Sequence, residues 1–562
     1  MMYAPIDALR IVMLESCVLV AVFLAAYLAI RLWRPFIKGP AWLGWILADN
    51  RRAVLFVIAA ALLGRACLLP FQGVPRPRVN DEYSYLLMAD TFAHHRLTNP
   101  TPAAWWHFET LHANVQPTYH SKFPVSQGLV LAFGQIFFHQ PWIGVYLSTA
   151  LLCGAICWAL QAFLPPPWAL LGGLLTVIRI ALFSYWMNSY YGGSVAAIGG
   201  AVALGAVVRL FDKHGTRRRR TLLAVAFAVS LLILATSRPY EGLAFSIPLM
   251  VFFCYRIAAA PGLTGKQRLS TLSIVGTIGL AGILLIGYYN WRTTGDPLLM
   301  PYVLCERTYS PMPLFLWQKP NPGLIARDPV FAKYYDNLGE GYRQMWSIRS
   351  LLALDFARIT LNWFFYVGPA LSFPALVGLF ASIKYSRLRL ALYAVSSLSI
   401  ALFLSVHSMP HYFSIAIVVV YLFAMEGLRY LWDQQRDGDR AFAVAVCLTV
   451  LVVSLTRETG SSVLFSKFAF RDARREIAQR LQNEPGKQMV LVTYDLDRHS
   501  PFNELVQNSA ELSSQKIIWA RSKGAGKDVD LCRAYPDRVF WSATTDDTDI
   551  SLQALDLCKS PR

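Results

Sequence analysis

Apolar residues fall in runs near 11–32, 51–71, 142–163, 168–186, 192–210, 221–236, 241–258, 270–289, 360–382, 388–406, 411–430 and 440–456. Each run approaches the roughly 20 residues that a helix needs to cross hydrocarbon. None alternates with the period of two that a barrel strand requires, and lipid cannot satisfy an open backbone, so the pattern predicts helices. The fold class expected is a polytopic α-helical membrane protein of about 12–13 helices. The run near 11–32 lacks a basic leader and a small-residue cleavage site, and Arg31, Trp33 and Arg34 close it like an anchor. It is read as a retained helix, with residues 1–50 as an additional span and linker before a membrane domain over 51–456.

Charge decides the threading. Arg217–Arg220, Lys266–Arg268, Lys384–Arg389 and the Arg31–Arg52 stretch with its five basic residues are all expected to be cytoplasmic. They agree only if 123–138 is interfacial or re-entrant and makes no net crossing. Residues 72–122, 185–193, 237–241, 291–355, 407–411 and the tail beyond Arg457 then lie outside. Composition sharpens this picture: 55% hydrophobic and only 15% charged residues exclude an ordinary soluble chain. The net charge of +18 sits in short loops, so no nucleic-acid partner is expected.

The outer stretch 72–122 carries the densest chemistry. Asn80-Asp81-Glu82 opens an amphipathic stretch in which Tyr85, Leu86, Ala89 and Phe92 share a face. Asn80 or Asp81 as a helix cap is one reading; adjacent carboxylates as an acid/base or metal site is the other. Further on, Trp105 and Trp106 suit an interfacial belt, and Lys122 suits either a snorkelling cation or a phosphate ligand. A divalent metal held by His94, His95, His107 and His112 is a weakly supported alternative, because HExxH spacing is absent; no cofactor is predicted.

The motifs Asn80-Asp81-Glu82-Tyr83-Ser84-Tyr85 and Ser121-Lys122-Phe123-Pro124, with Tyr185–Gly193 as a second outer loop, resemble the GT-C superfamily. Within it the protein O-mannosyltransferase and aminoarabinose-transferase branch, which uses polyprenyl-phosphate sugar donors, is the most similar. The resemblance implies a catalytic acid at Asp81 with Glu82 beside it, and a donor-phosphate contact at Lys122. Ser121 stands where the aminoarabinose branch has Glu, which leaves Glu109 or His120 for a second acid/base role. Asn188 stands where several relatives carry an acidic residue. Arg238 and Arg292, at helix ends beside aromatics, suit a phosphate clamp together with Lys122, with Tyr85 nearby; each is equally suited to anchor at the interface.

From Ser461 the composition changes. Arg471–Leu481 reads as an amphipathic helix, and strands are predicted at 489–494, 516–520 and 538–541, giving a small α/β domain over 461–562. Asp495, Asp497 and Arg498 replace a Gly-rich phosphate loop, so nucleotide binding is not supported. Cys532 and Cys558 are disulfide candidates in an oxidising compartment. The expected function is transfer of a sugar from a polyprenyl-phosphate donor to a glycan, lipid or protein acceptor at the periplasmic face of a bacterial inner membrane. A transporter or flippase is the first rival, but no internal repeat is visible and Arg179 is the only clear mid-span charge. A non-catalytic membrane scaffold is the second, and it leaves the acidic loop unexplained.

Overall fold

The computed structural model describes residues 20–28, 41–191, 193–212, 215–260, 262–321, 324, 328–433, 445–450, 452, 473–498, 500, 503–545 and 550–559. The spans predicted near 11–32 and 440–456 lie largely outside the described residues. Among the described residues, seven helices are long and apolar enough to cross a membrane, or eight if one bent pair is counted as a single span. They are Asn50–Gln72, Trp142–Leu160, Arg217–Ser237, Pro239–Ala259, Gly265–Thr294, Ser386–Phe403 and Ser414–Asp433. The predicted runs at 168–186 and 192–210 appear as the shorter apolar helices Pro166–Leu182 and Ser194–Leu210. The protein is an integral membrane protein with a helical bundle and a small C-terminal α/β domain.

One predicted span is broken. Residues 360–382 straddle a 104° bend between the Ile348–Tyr366 and Gly368–Lys384 helices. Gly368 makes the corner at φ +63°, a conformation that costs a side chain-bearing residue about 1 kcal/mol or more. The freed carbonyls of Phe364 and Phe365 accept from the Arg179 guanidinium at 3.3 and 2.9 Å. This mid-bundle charge therefore holds a helix corner together.

The loops gather at two ends of the bundle. At one end Arg209 donates to Trp158 O, Arg268 to Ala258 O and Arg387 to Phe163 O, and Gln161 reaches Asn50 O. Glu426 is fully buried there between Arg387 and Arg429. The basic loops thus share one end. The opposite end collects 73–124, 185–191, 295–321, 328–347 and 404–413. Helix Val125–Phe138 begins and finishes at that second end: Lys122 precedes it, and Trp142, just after it, donates to Met187 O at 2.8 Å.

The C-terminal domain carries a four-stranded sheet in the order β4-β3-β5-β6, from Lys487–Tyr494 (β3), Ile517–Arg521 (β4), Arg538–Thr545 (β5) and Ile550–Leu555 (β6). β3 pairs parallel with β4 and β5, while β6, absent from the sequence reading, adds an antiparallel edge. Cys532 and Cys558 form the disulfide, with Cα atoms 5.7 Å apart. Phe108, from the 72–122 stretch, is buried in the core of this domain beside Met489, Leu491 and Ile518. The Trp105–His107 turn accordingly sits in an intramolecular seam, where sequence suggested an interfacial belt.

Candidate active site

The first turn of the Asn80–Ala93 helix sorts the acidic pair. Val79 is the helix cap, and Glu82 reaches back to accept from the amides of Arg78 (2.6 Å) and Val79 (3.1 Å). Its other oxygen accepts from Tyr190 N at 3.0 Å, which fastens the loop after the Pro166–Leu182 helix to this helix. Glu82, not Asn80 or Asp81, therefore satisfies the orphan amides of the helix start. At 2% exposure it is sealed from substrate, whereas the Asp81 side chain keeps 29%. Of the adjacent carboxylates, only Asp81 is free for chemistry. Replacing Glu82 by Gln turns an amide N–H toward amide donors. We expect a stability loss of about 1–3 kcal/mol, read as a lowered thermal midpoint in detergent.

Asp81 Oδ1 lies 2.5 Å from His112 Nδ1. Burial opposes ionisation of this carboxyl, but His112 and the Lys122 charge more than offset it and hold the group well below the usual carboxylate range. Burial also lowers His112 and keeps its imidazole neutral. His112 Nε2 meets Tyr334 OH at 3.1 Å. The backbone of His112 is at φ +67°, the left-handed region, and its carbonyl accepts from Ser84 Oγ (2.6 Å) and Lys122 N (3.1 Å). Such local strain persists where surrounding contacts over-determine it, and here they aim the ring at Asp81.

Lys122 is buried beside the same group. Its ammonium pairs with Glu306 Oε1 at 3.1 Å and lies 4.7 Å from the Tyr302 ring and 5.5 Å from Phe123. Burial disfavours its charge, but Glu306 more than compensates and raises the ammonium well above its ordinary range. Phe123 stacks on Tyr85, with ring centroids 4.4 Å apart. Arg238 stands at the break between the Arg217–Ser237 and Pro239–Ala259 helices, 4.3 Å over the Tyr412 ring and 3.9 Å from Glu241. His411 donates to or accepts from Tyr185 OH at 3.1 Å, and burial drops its pKa to about 3. An apolar cavity of about 470 Å³, lined by Trp363, Tyr366 and Phe413, adjoins the same 407–413 turn.

Asp81, Tyr85, Lys122 and Arg238 thus converge, and four sequence candidates do not. Arg292 is exposed and pairs with its helical neighbour Tyr288 at 3.3 Å, too far out on its helix to join a clamp. Glu109 accepts from Tyr309 OH at 3.2 Å under the C-terminal domain. His120 is held by Thr118 O (2.9 Å) and Asn114 (3.1 Å) in the β1–β2 hairpin, Ala113–Asn114 with His120–Ser121, and burial lowers it to about 4. Asn188 donates to Ser184 O at 2.8 Å and closes its own turn. Nor do the four histidines gather: His94 pairs with Asp90, His107 bonds Arg521 O, and His112 faces Asp81. Among the described residues no group of three or more His, Cys, Asp or Glu is arranged to hold a metal ion.

Sequence reasoning missed Glu306 as Lys122's partner, and Tyr302, Tyr334 and Tyr412 as walls. Lys122 and Glu306 are 184 residues apart, and no local pattern joins them. The one signal was Cys305-Glu306-Arg307 within an outer loop too long for a connector.

No protein-family model and no curated protein sequence matches the chain. Solved structures do. ArnT from Cupriavidus metallidurans bound to undecaprenyl phosphate superposes with a TM-score of 0.50 at 12% identity, covering 88% of this chain and 93% of that one. The archaeal oligosaccharyltransferase AglB from Archaeoglobus fulgidus, in complex with an inhibitory peptide and a dolichol-phosphate, gives 0.50 at 12% identity, covering 87% and 69%. An Archaeoglobus fulgidus oligosaccharyltransferase complexed with Zn and sulfate gives 0.49 at 13% identity; 77% of this chain aligns to 55% of its length. The chain thus spans little more than half of that last protein. ArnT and AglB are GT-C glycosyltransferases, and this chain has the GT-C fold.

Proposed function

We propose that this protein is a membrane glycosyltransferase that moves a sugar from a polyprenyl-phosphate donor to an acceptor hydroxyl, at the periplasmic face of a bacterial inner membrane. The observation that carries the reading is the convergence of one ionised, reachable carboxylate with two cations, Asp81 with the buried Lys122 and the half-buried Arg238. The fold shared with two proteins solved with lipid phosphates supports the donor class.

The acceptor oxygen attacks the anomeric carbon while Asp81 takes its proton. The bond from that carbon to the phosphate oxygen breaks, and polyprenyl phosphate leaves with one more negative charge than the donor phosphate carried. Lys122 and Arg238 are preorganised for that growing charge in a low-dielectric wall of tyrosines, where fixed cations act most strongly. For the phosphate to reach Lys122, its pairing with Glu306 must be shared or exchanged. The first isoprene units would lie in the apolar cavity behind the 407–413 turn. Arg179, the only clear mid-span charge that the sequence offers a transporter, is engaged with a helix corner, which weighs further against that alternative.

Release of polyprenyl phosphate and a glycosylated acceptor by purified protein supplied with polyprenyl-phosphate sugars tests this reading. Uptake into proteoliposomes without any glycosidic product would favour the transporter.

A further inference from the structure

In an open sheet with parallel strands, the crevice beyond the strands' carboxyl ends is where ligands usually sit. In the C-terminal domain, parallel strands β3 and β4 end at Tyr494 and Arg521. That crevice is filled by this chain itself. Arg521, 3% exposed, holds Asp328 Oδ1 at 3.1 Å and Glu504 on its other side, and Lys523 holds Asp328 Oδ2 at 2.5 Å. Two cations and two carboxylates cancel, which makes their burial tolerable.

Asp328 caps the Pro329–Gln344 helix of the long outer loop, accepting from Val330 N at 2.8 Å. The helix packs Phe331, Tyr334 and Tyr335 around Leu111, and Tyr334 OH meets His112, the ring that faces Asp81. A second hold comes from the β3–β4 crossover. Gln507 donates to Asn80 Oδ1 at 3.2 Å, Ala510 N donates to Asp90 Oδ2 at 2.8 Å, and Asn508 O accepts from Tyr119 OH at 3.1 Å. The same domain therefore grips the helix that carries Asp81 and the helix that carries Tyr334.

We infer that the C-terminal domain is a positioning brace for the candidate base, with Asp328 seated in the Arg521–Lys523 crevice as its key. This rests on the function proposed above. The domain does not touch the reacting atoms; it fixes the distance between two outer elements that share the His112–Asp81 contact. A displacement of about 1 Å at such a contact is enough to cost up to a hundredfold in rate.

The test uses the full chain in nanodiscs with a polyprenyl-phosphate sugar. Asp328→Asn keeps the shape and one hydrogen bond while weakening the hold on both cations. Its expected result is a kcat lowered about tenfold or more, a donor KM within about twofold of wild type, and an acid limb moved upward by about one pH unit as His112 loosens from Asp81. Lys523→Met, which spares the Arg521–Asp328 pair, should give a smaller change in the same direction, and it decides the matter should Asp328→Asn not fold. Wild-type kcat and pH profile in the folded variants overturn the brace. If wild-type protein itself releases no polyprenyl phosphate, the proposed function has failed instead; if it does and Asp81→Asn does not, that function stands whatever the brace variants show.

Discussion

Asp81→Asn should lower turnover by about 10²–10⁴-fold with donor binding retained, because a general base contributes about that much and asparagine fills the same space without accepting a proton. The side chain is reachable, it faces a neutral imidazole, and its neighbours hold it ionised. A depressed carboxyl remains a competent base until the pH falls through its folded value. The acid limb of kcat/KM should therefore lie below about pH 4, under the ordinary aspartate range. The sign is specific: the stability contributed by the depressed Asp81 carboxyl is present at neutral pH and is lost only as pH falls through that depressed pKa. An acid limb near pH 6.5, as for an ordinary histidine, would move the base to His112. Initial-rate measurements over pH 3–9 with radiolabelled donor sugar distinguish the two.

Lys122→Met should weaken donor binding by about 3 kcal/mol, roughly a hundredfold in Kd, through loss of a desolvated charge-to-phosphate contact. The variant also leaves Glu306 buried without its cation, so stability falls too. Adding Glu306→Gln separates these effects. The double variant should recover thermal stability and still bind donor poorly. Glu306→Gln alone should tighten binding of undecaprenyl phosphate, since it removes the carboxylate that competes for Lys122. Calorimetry in nanodiscs reads both. Donor affinity restored in the double variant would show that Lys122 only neutralises Glu306.

Much of this was legible in the sequence because its causes are local. Twenty-residue apolar runs, basic loops and the acidic turn at Asn80–Glu82 are read within a window of a few helical turns. The cysteine pair was legible for a similar reason: two cysteines lie 26 residues apart in a small C-terminal domain. What remained hidden depends on contacts between distant segments. The sequence put Asp81 first with Glu82 beside it, but the tie of Glu82 to Arg78 N, Val79 N and Tyr190 N is visible only in the fold. Arg292 looked equivalent to Arg238, since both end apolar helices beside aromatics. The Gly265–Thr294 helix, however, at 30 residues outruns the roughly 30 Å of hydrocarbon and carries Arg292 beyond the site. The break at Gly368 was masked by an apolar run continuous through it, because hydropathy records burial and not direction.

In the proposed reaction the phosphate of a lipid donor sits against Lys122 and within reach of Asp81. Photocrosslinking with a diazirine placed next to the phosphate of a polyprenyl phosphate, followed by peptide mapping, tests it most directly. The account predicts labelling on Phe123, Tyr302 or Tyr412, abolished by excess undecaprenyl phosphate. Saturable labelling confined to the basic end of the bundle, around Arg387 or Arg429, would contradict it.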